Sequence, residues 1–132
     1  MSLDITPIAD PSRQIVQGYG EGEFRISERD YAGSVFICER ETVLWPKAER
    51  ILGAGQGFDP ADLDDILQYK NEIDILVFGC GARFVLPNTA LHAFLGRNAI
   101  ALEWMATGAA CRTYNILAIE GRRVAGVFIA VE

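Results

Sequence analysis

The chain has 132 residues, half of them apolar, with 18 acidic against 12 basic side chains and a net charge of −6. That length fits one domain. An acidic chain without a basic cluster argues against nucleic-acid binding, which draws its affinity from phosphate contacts, and against attraction to an anionic membrane surface.

No apolar run approaches the roughly 20 residues of a membrane span, and no basic-then-apolar secretory signal opens the chain. Direct membrane insertion is therefore not expected. Cys38, Cys80 and Cys111 are odd in number and widely spaced. They lack the C-x-x-C pairs of a zinc site and do not form a disulfide framework. A reducing, cytoplasmic setting is expected, with no metal site and no cofactor.

Residues 1–12 contain Pro7 and Pro11 and little apolar periodicity, which predicts a loosely held N-terminal arm before a single α/β domain over 13–132. A first short strand is expected over 13–17. The cluster Gly18-Tyr19-Gly20-Glu21-Gly22 is followed by Phe24 and Ile26 in strand-like alternation. A dinucleotide-binding loop needs a helix at that point, so these glycines read as a tight turn or bulge.

Residues 34–38 and 42–45 are β-branched and aromatic runs around Glu39-Arg40-Glu41 and predict a hairpin ended by Pro46. Residues 53–57 read as a loop. Asp59 is a good N-cap, Pro60 fits the first helical position, and Leu63, Ile66 and Leu67 share a face. Asp62, Asp64 and Asp65 suit the positive end of that helix.

The run from Ile73 to Phe78 is continuously apolar, as in a strand covered on both faces. After Gly79-Cys80-Gly81 and an irregular stretch, Asn88 and Thr89 open a helix with Leu91, Phe94 and Leu95 on one face. Residues 100–105 form the next strand, with Ile100, Leu102 and Trp104 on one side and Ala101, Glu103 and Met105 on the other. Thr107 is expected to cap a helix running to about Ile119 and ended by Gly121. Residues 124–131 read as an interior strand. The predicted fold is a three-layer α/β domain with a mixed central sheet, a β-hairpin extension and about three helices.

Ligands of open α/β sheets collect beyond the carboxyl ends of the strands. The two parallel strands ending at Phe78 and Met105 bring the turns after them to a common edge. Two helix N-termini, near Asn88 and Thr107, face the same way and have unpaired N–H groups to offer an anion. The candidate ligand-binding residues there are Gly79, Cys80, Gly81, Glu103, Thr107, Arg112 and Asn115. A Cys80 thiolate at a helix N-terminus would be reactive; glycines serving a tight turn, and Glu103 paired with Arg112 or Arg122, are the structural alternatives. No catalytic residue is assigned. His92 is the only histidine, it lies off the apolar helix face, and no nucleophile system is in place around it.

The stretches GYGEGEFRI, YAGSVFI and ILVFGCG, and above all the run from Leu102 to Ile129, carry a resemblance. Its most specific residues are Met105, Thr107, Thr113-Tyr114-Asn115, Glu120-Gly121-Arg122 and Val124-Ala125. From about Gln14 onward the chain resembles the Mth938-like domains. This is a family of small, mostly uncharacterised bacterial and archaeal proteins that also contains the mitochondrial complex I assembly factor 3. The resemblance implies a single α/β domain with a hairpin extension and a non-enzymatic role in protein binding or assembly, with partners among respiratory-chain assembly proteins. The alternative is a small-molecule or anion site, or a weak enzyme, at the sheet edge near Gly79–Gly81 and Thr107.

Overall fold

The computed structural model describes residues 3–4, 13–53 and 57–132. Its centre is a five-stranded sheet in the order β6-β5-β9-β7-β8. β5 (Val35–Ile37) and β6 (Thr42–Leu44) form the expected hairpin, with Val35 opposite Leu44. β7 (Ile75–Gly79) and β8 (Ala101–Met105) run parallel, joined by α3 (Thr89–Arg97). β9 (Val124–Phe128) lies between them and the hairpin, parallel to β7 and antiparallel to β5.

Because side chains alternate across a strand, the continuous apolar strands feed two cores. Phe36, Leu76, Phe78, Ala125 and Val127 face one side. There they meet α1 (Lys47–Gly53), the 3-10 turn Pro60–Leu63, α2 (Asp64–Leu67) and α3. Val35, Ile37, Val77, Val124 and Phe128 face the other, against α4 (Thr107–Ile119) and a second sheet. Phe24, Phe36, Phe78 and Phe128 are each at most 1% exposed, and each contributes about 1.5–3 kcal/mol through burial.

The second sheet enlarges the expected hairpin extension. It is an antiparallel meander of β1 (Leu3–Asp4), β2 (Val16–Gly20), β3 (Glu23–Ile26) and β4 (Arg29–Ala32). The glycine cluster supplies the β2–β3 turn, where Gly20, Glu21 and Gly22 all have positive φ. β4 has one half-buried and three exposed residues, Arg29, Asp30 and Ala32, so it carries no apolar signature of its own. Pairing with β3 makes it a strand.

Several local expectations change. α1 follows Pro46 where no helix was expected. Asp59 does cap, accepting from the Ala61 N–H at 3.0 Å, but the helix it opens is a 3-10 turn followed by a single α-turn. Gly53 closes α1, and residues 54–56 of the expected loop lie outside the described residues. Of the N-terminal arm, Leu3–Asp4 pair with β2, and the other ten residues lie outside the described residues. Among the described residues no helix is long and apolar enough to cross a membrane.

Candidate functional site

The parallel pairing of β7 and β8 brings the turns after Gly79 and Met105 together, as the sequence required. The space between them is then closed by hydrogen bonds. The Cys80 N–H donates to the Met105 carbonyl at 2.8 Å, the Thr107 N–H to the Gly81 carbonyl at 2.8 Å, and the Ile129 N–H to the Gly79 carbonyl at 2.9 Å. The Thr107 hydroxyl accepts from the Gly81 N–H at 2.9 Å and donates to the Ile129 carbonyl at 2.8 Å. Thr107 is 0% exposed.

Thr107 is therefore not the cap. Ala106 takes that position, without a side-chain hydrogen bond. As the first residue of α4, Thr107 fastens the strand ends to one another. Gly79 makes this approach feasible: a Cβ there would stand 2.9 Å from the Thr107 Cα and 3.1 Å from the Ala110 Cβ.

Cys80 is 3% exposed. Its sulfur accepts from the Val85 N–H at 3.4 Å and its thiol donates to the Arg83 carbonyl at 3.5 Å, so it shapes the loop behind it. The structure separates the remaining candidates. Asn115 turns toward β2, where its side chain accepts from the Val16 N–H at 3.0 Å and donates to the Val16 carbonyl at 2.8 Å. Arg112 is exposed, with a guanidinium nitrogen beside Gly108 near the Tyr19 hydroxyl. Glu103 is exposed on the edge strand and has no hydrogen-bond or ion-pair partner among the described residues. Neither of the expected pairings of Glu103, with Arg112 or with Arg122, is formed. The expected open crevice is thus a set of strand ends tied to one helix.

A surface that the sequence reading passed over lies next to this knot. Phe84, Val85 and Leu86 are 58%, 42% and 84% exposed. The Trp104 indole N–H donates to the Val85 carbonyl at 3.0 Å, and its ring stacks on Phe78 with centroids 4.4 Å apart. These three apolar side chains thus stand exposed beside the outer strand of the sheet. The one signal in the sequence was three successive apolar residues in a stretch with no helical or strand period, ended by Pro87.

A separate cleft of about 130 Å³ is lined by Arg13, Gln14, Glu39, Tyr114 and Arg122. Its polar groups are partly engaged already: Arg13 donates to the Ala118 carbonyl, and the Tyr114 hydroxyl to the Gln14 carbonyl at 2.9 Å. Burial pushes the Tyr114 hydroxyl well above the ordinary tyrosine value. Among the described residues no group of three or more His, Cys, Asp or Glu side chains is placed to hold a metal ion.

A family model described as protein of unknown function (DUF498/DUF598) matches residues 16–129. The chain belongs to the DUF498/DUF598 family. The matched segment begins at Val16 and ends at Ile129, the two residues that Asn115 and Thr107 of α4 hold. An uncharacterised protein of Rhodobacter capsulatus is 31% identical over 114 residues, which is 86% of this chain and 82% of that protein. Among solved structures, the chain is similar to one described as an outer membrane protein from Bartonella henselae. The two share 30% identity with a TM-score of 0.75, over 94% of this chain and 100% of that one. A Bordetella pertussis protein described as a Mth938-like domain shows the same fold at 24% identity and a TM-score of 0.67, over 98% of this chain and 92% of that one. This DUF498/DUF598 chain thus has a Mth938-like fold.

Proposed function

We propose that this chain is a non-enzymatic binding or assembly protein that works through the surface around Phe84–Leu86. The observation that carries this reading is the exposure of those three successive apolar residues beside strand ends whose polar groups are spent on holding the fold. A loop of this kind costs solubility unless something covers it. The resemblance to the family that contains the complex I assembly factor 3 names the first partner class to seek, respiratory-chain assembly proteins.

Pull-down from host cells under gentle conditions, with wild type and a Phe84→Ser/Leu86→Ser double variant side by side, tests it. A protein partner retained by the wild type and lost by a variant that is still folded supports the reading. Equal recovery by both, or recovery by neither, defeats it.

A further inference from the structure

We propose that β8 is a docking edge that accepts an extended segment of a partner protein as a sixth strand, with a Lys or Arg of that segment facing Glu103. This rests on the binding function proposed above and names how the partner is held.

β8 is the outer strand of the five. The Ala101 N–H donates to the Asp74 carbonyl and the Met105 carbonyl accepts from the Cys80 N–H, so residues 101, 103 and 105 turn their backbone groups toward β7. Parallel ladders alternate, which leaves the N–H and C=O groups of Leu102 and Trp104 facing away from the sheet. An edge of this kind is a template for another strand.

Charge decides the occupant. Glu103 stands exposed in the middle of the edge with no partner among the described residues. Its side of the strand is the one where the Thr113 hydroxyl meets the Met105 sulfur at 3.4 Å. Thr113, and Ala109 one turn before it, carry no charge. A second copy is the poorer fit. The two-fold antiparallel register that would pair Leu102 with Trp104 of another copy sets Glu103 directly against its own equivalent, and like charges there are destabilising. A basic residue at that place is favourable. The neighbouring residues of the added strand, on the opposite face, fall on the side of Trp104 and the apolar loop.

The test uses the full-length, isotope-labelled chain and two seven-residue blocked peptides, Val-Thr-Val-Lys-Val-Thr-Val and its counterpart with Glu at the centre. The expected result is slowed hydrogen exchange at the Leu102 and Trp104 amides with the Lys peptide. A preference of at least roughly threefold over the Glu peptide is expected, and Glu103→Lys reverses it. As a second measurement, Glu103→Thr removes the repulsion, so that this variant self-associates through the same two amides while the wild type stays monomeric.

Unchanged exchange at both amides together with a monomeric Glu103→Thr variant overturns the proposal, as does peptide binding that is indifferent to the charge at 103. If the pull-down retains a partner through Phe84 and Leu86 while these amides stay unprotected, the edge mode fails and the binding function stands. If the pull-down fails while the peptides bind as expected, the Phe84–Leu86 surface is not what holds the partner and the edge mode stands without it.

Discussion

The side-chain amide of Asn115 takes the place of a neighbouring strand for Val16, holding both its N–H and its C=O at 3.0 and 2.8 Å. The two residues are 99 positions apart, and Asn115 is 5% exposed. This contact fixes the smaller sheet to α4 at the point where the β2–β3 register shifts, between Val16 and Gly18. Asn115→Ala leaves a buried donor and a buried acceptor without partners. The expected loss is about 3 kcal/mol, read as a lower urea midpoint, with the amides of β2 exchanging before those of β7.

Thr107→Val keeps the shape of the side chain and removes both of its hydrogen bonds. The expected cost is about 2–4 kcal/mol, measured by urea unfolding at unchanged m-value. A cost below about 0.5 kcal/mol, the range of surface substitutions, would mean that the backbone hydrogen bonds and packing hold the strand ends without the hydroxyl.

All three thiols are buried, at 4%, 3% and 0% exposure for Cys38, Cys80 and Cys111. Burial pushes the Cys38 and Cys111 thiols above their ordinary value. An aromatic disulfide reagent at pH 8 is expected to titrate none of them quickly in the native protein and all three in guanidinium. Rapid labelling of Cys80 alone would show that the loop it anchors through Arg83 and Val85 opens readily.

The Lys47 ammonium, and after it the Trp45 indole N–H, hold the Asp65 carboxyl below the usual aspartate range, both at 2.8 Å. A depressed folded-state value adds stability above the unfolded aspartate value, near pH 4, and loses it as pH falls through the folded value. The Asp65 side chain is 42% exposed, so solvent screening keeps the effect to roughly 0.5–1 kcal/mol. Asp65→Asn is expected to lower the urea midpoint at pH 7, and the difference from the wild type is expected to shrink as pH falls below the ordinary aspartate range.

The elements legible in the sequence are those whose pattern is local. The Ile73–Phe78 run, the Asn88 cap and the periodic face of α3 each carry their own signal, and the structure keeps them. β4 and α1 were missed for the opposite reason. Arg29, Asp30 and Ala32 are exposed residues made into a strand by β3, and α1 is only seven residues long, with Ala48 and Ile51 as its buried face. The candidate site was half legible. Strand direction placed Gly79–Gly81 and Thr107 together. Whether a threonine there would welcome a ligand or tie down Ile129 depends on a partner 22 residues away. Asn115 shares a helical face with Gly108 and Arg112 by spacing. Its amide is claimed by a strand that helical spacing does not foresee.

The seating of β9 between β5 and β7 bears on how the chain is made. On a ribosome, β5, β6, β7 and β8 all emerge before the segment that must slide between them. Until Val124–Phe128 arrives, the hairpin and the βαβ unit share no ladder, and neither core can close. Before β9 is made the nascent chain carries bare apolar strand edges, a state that a holding chaperone can cover.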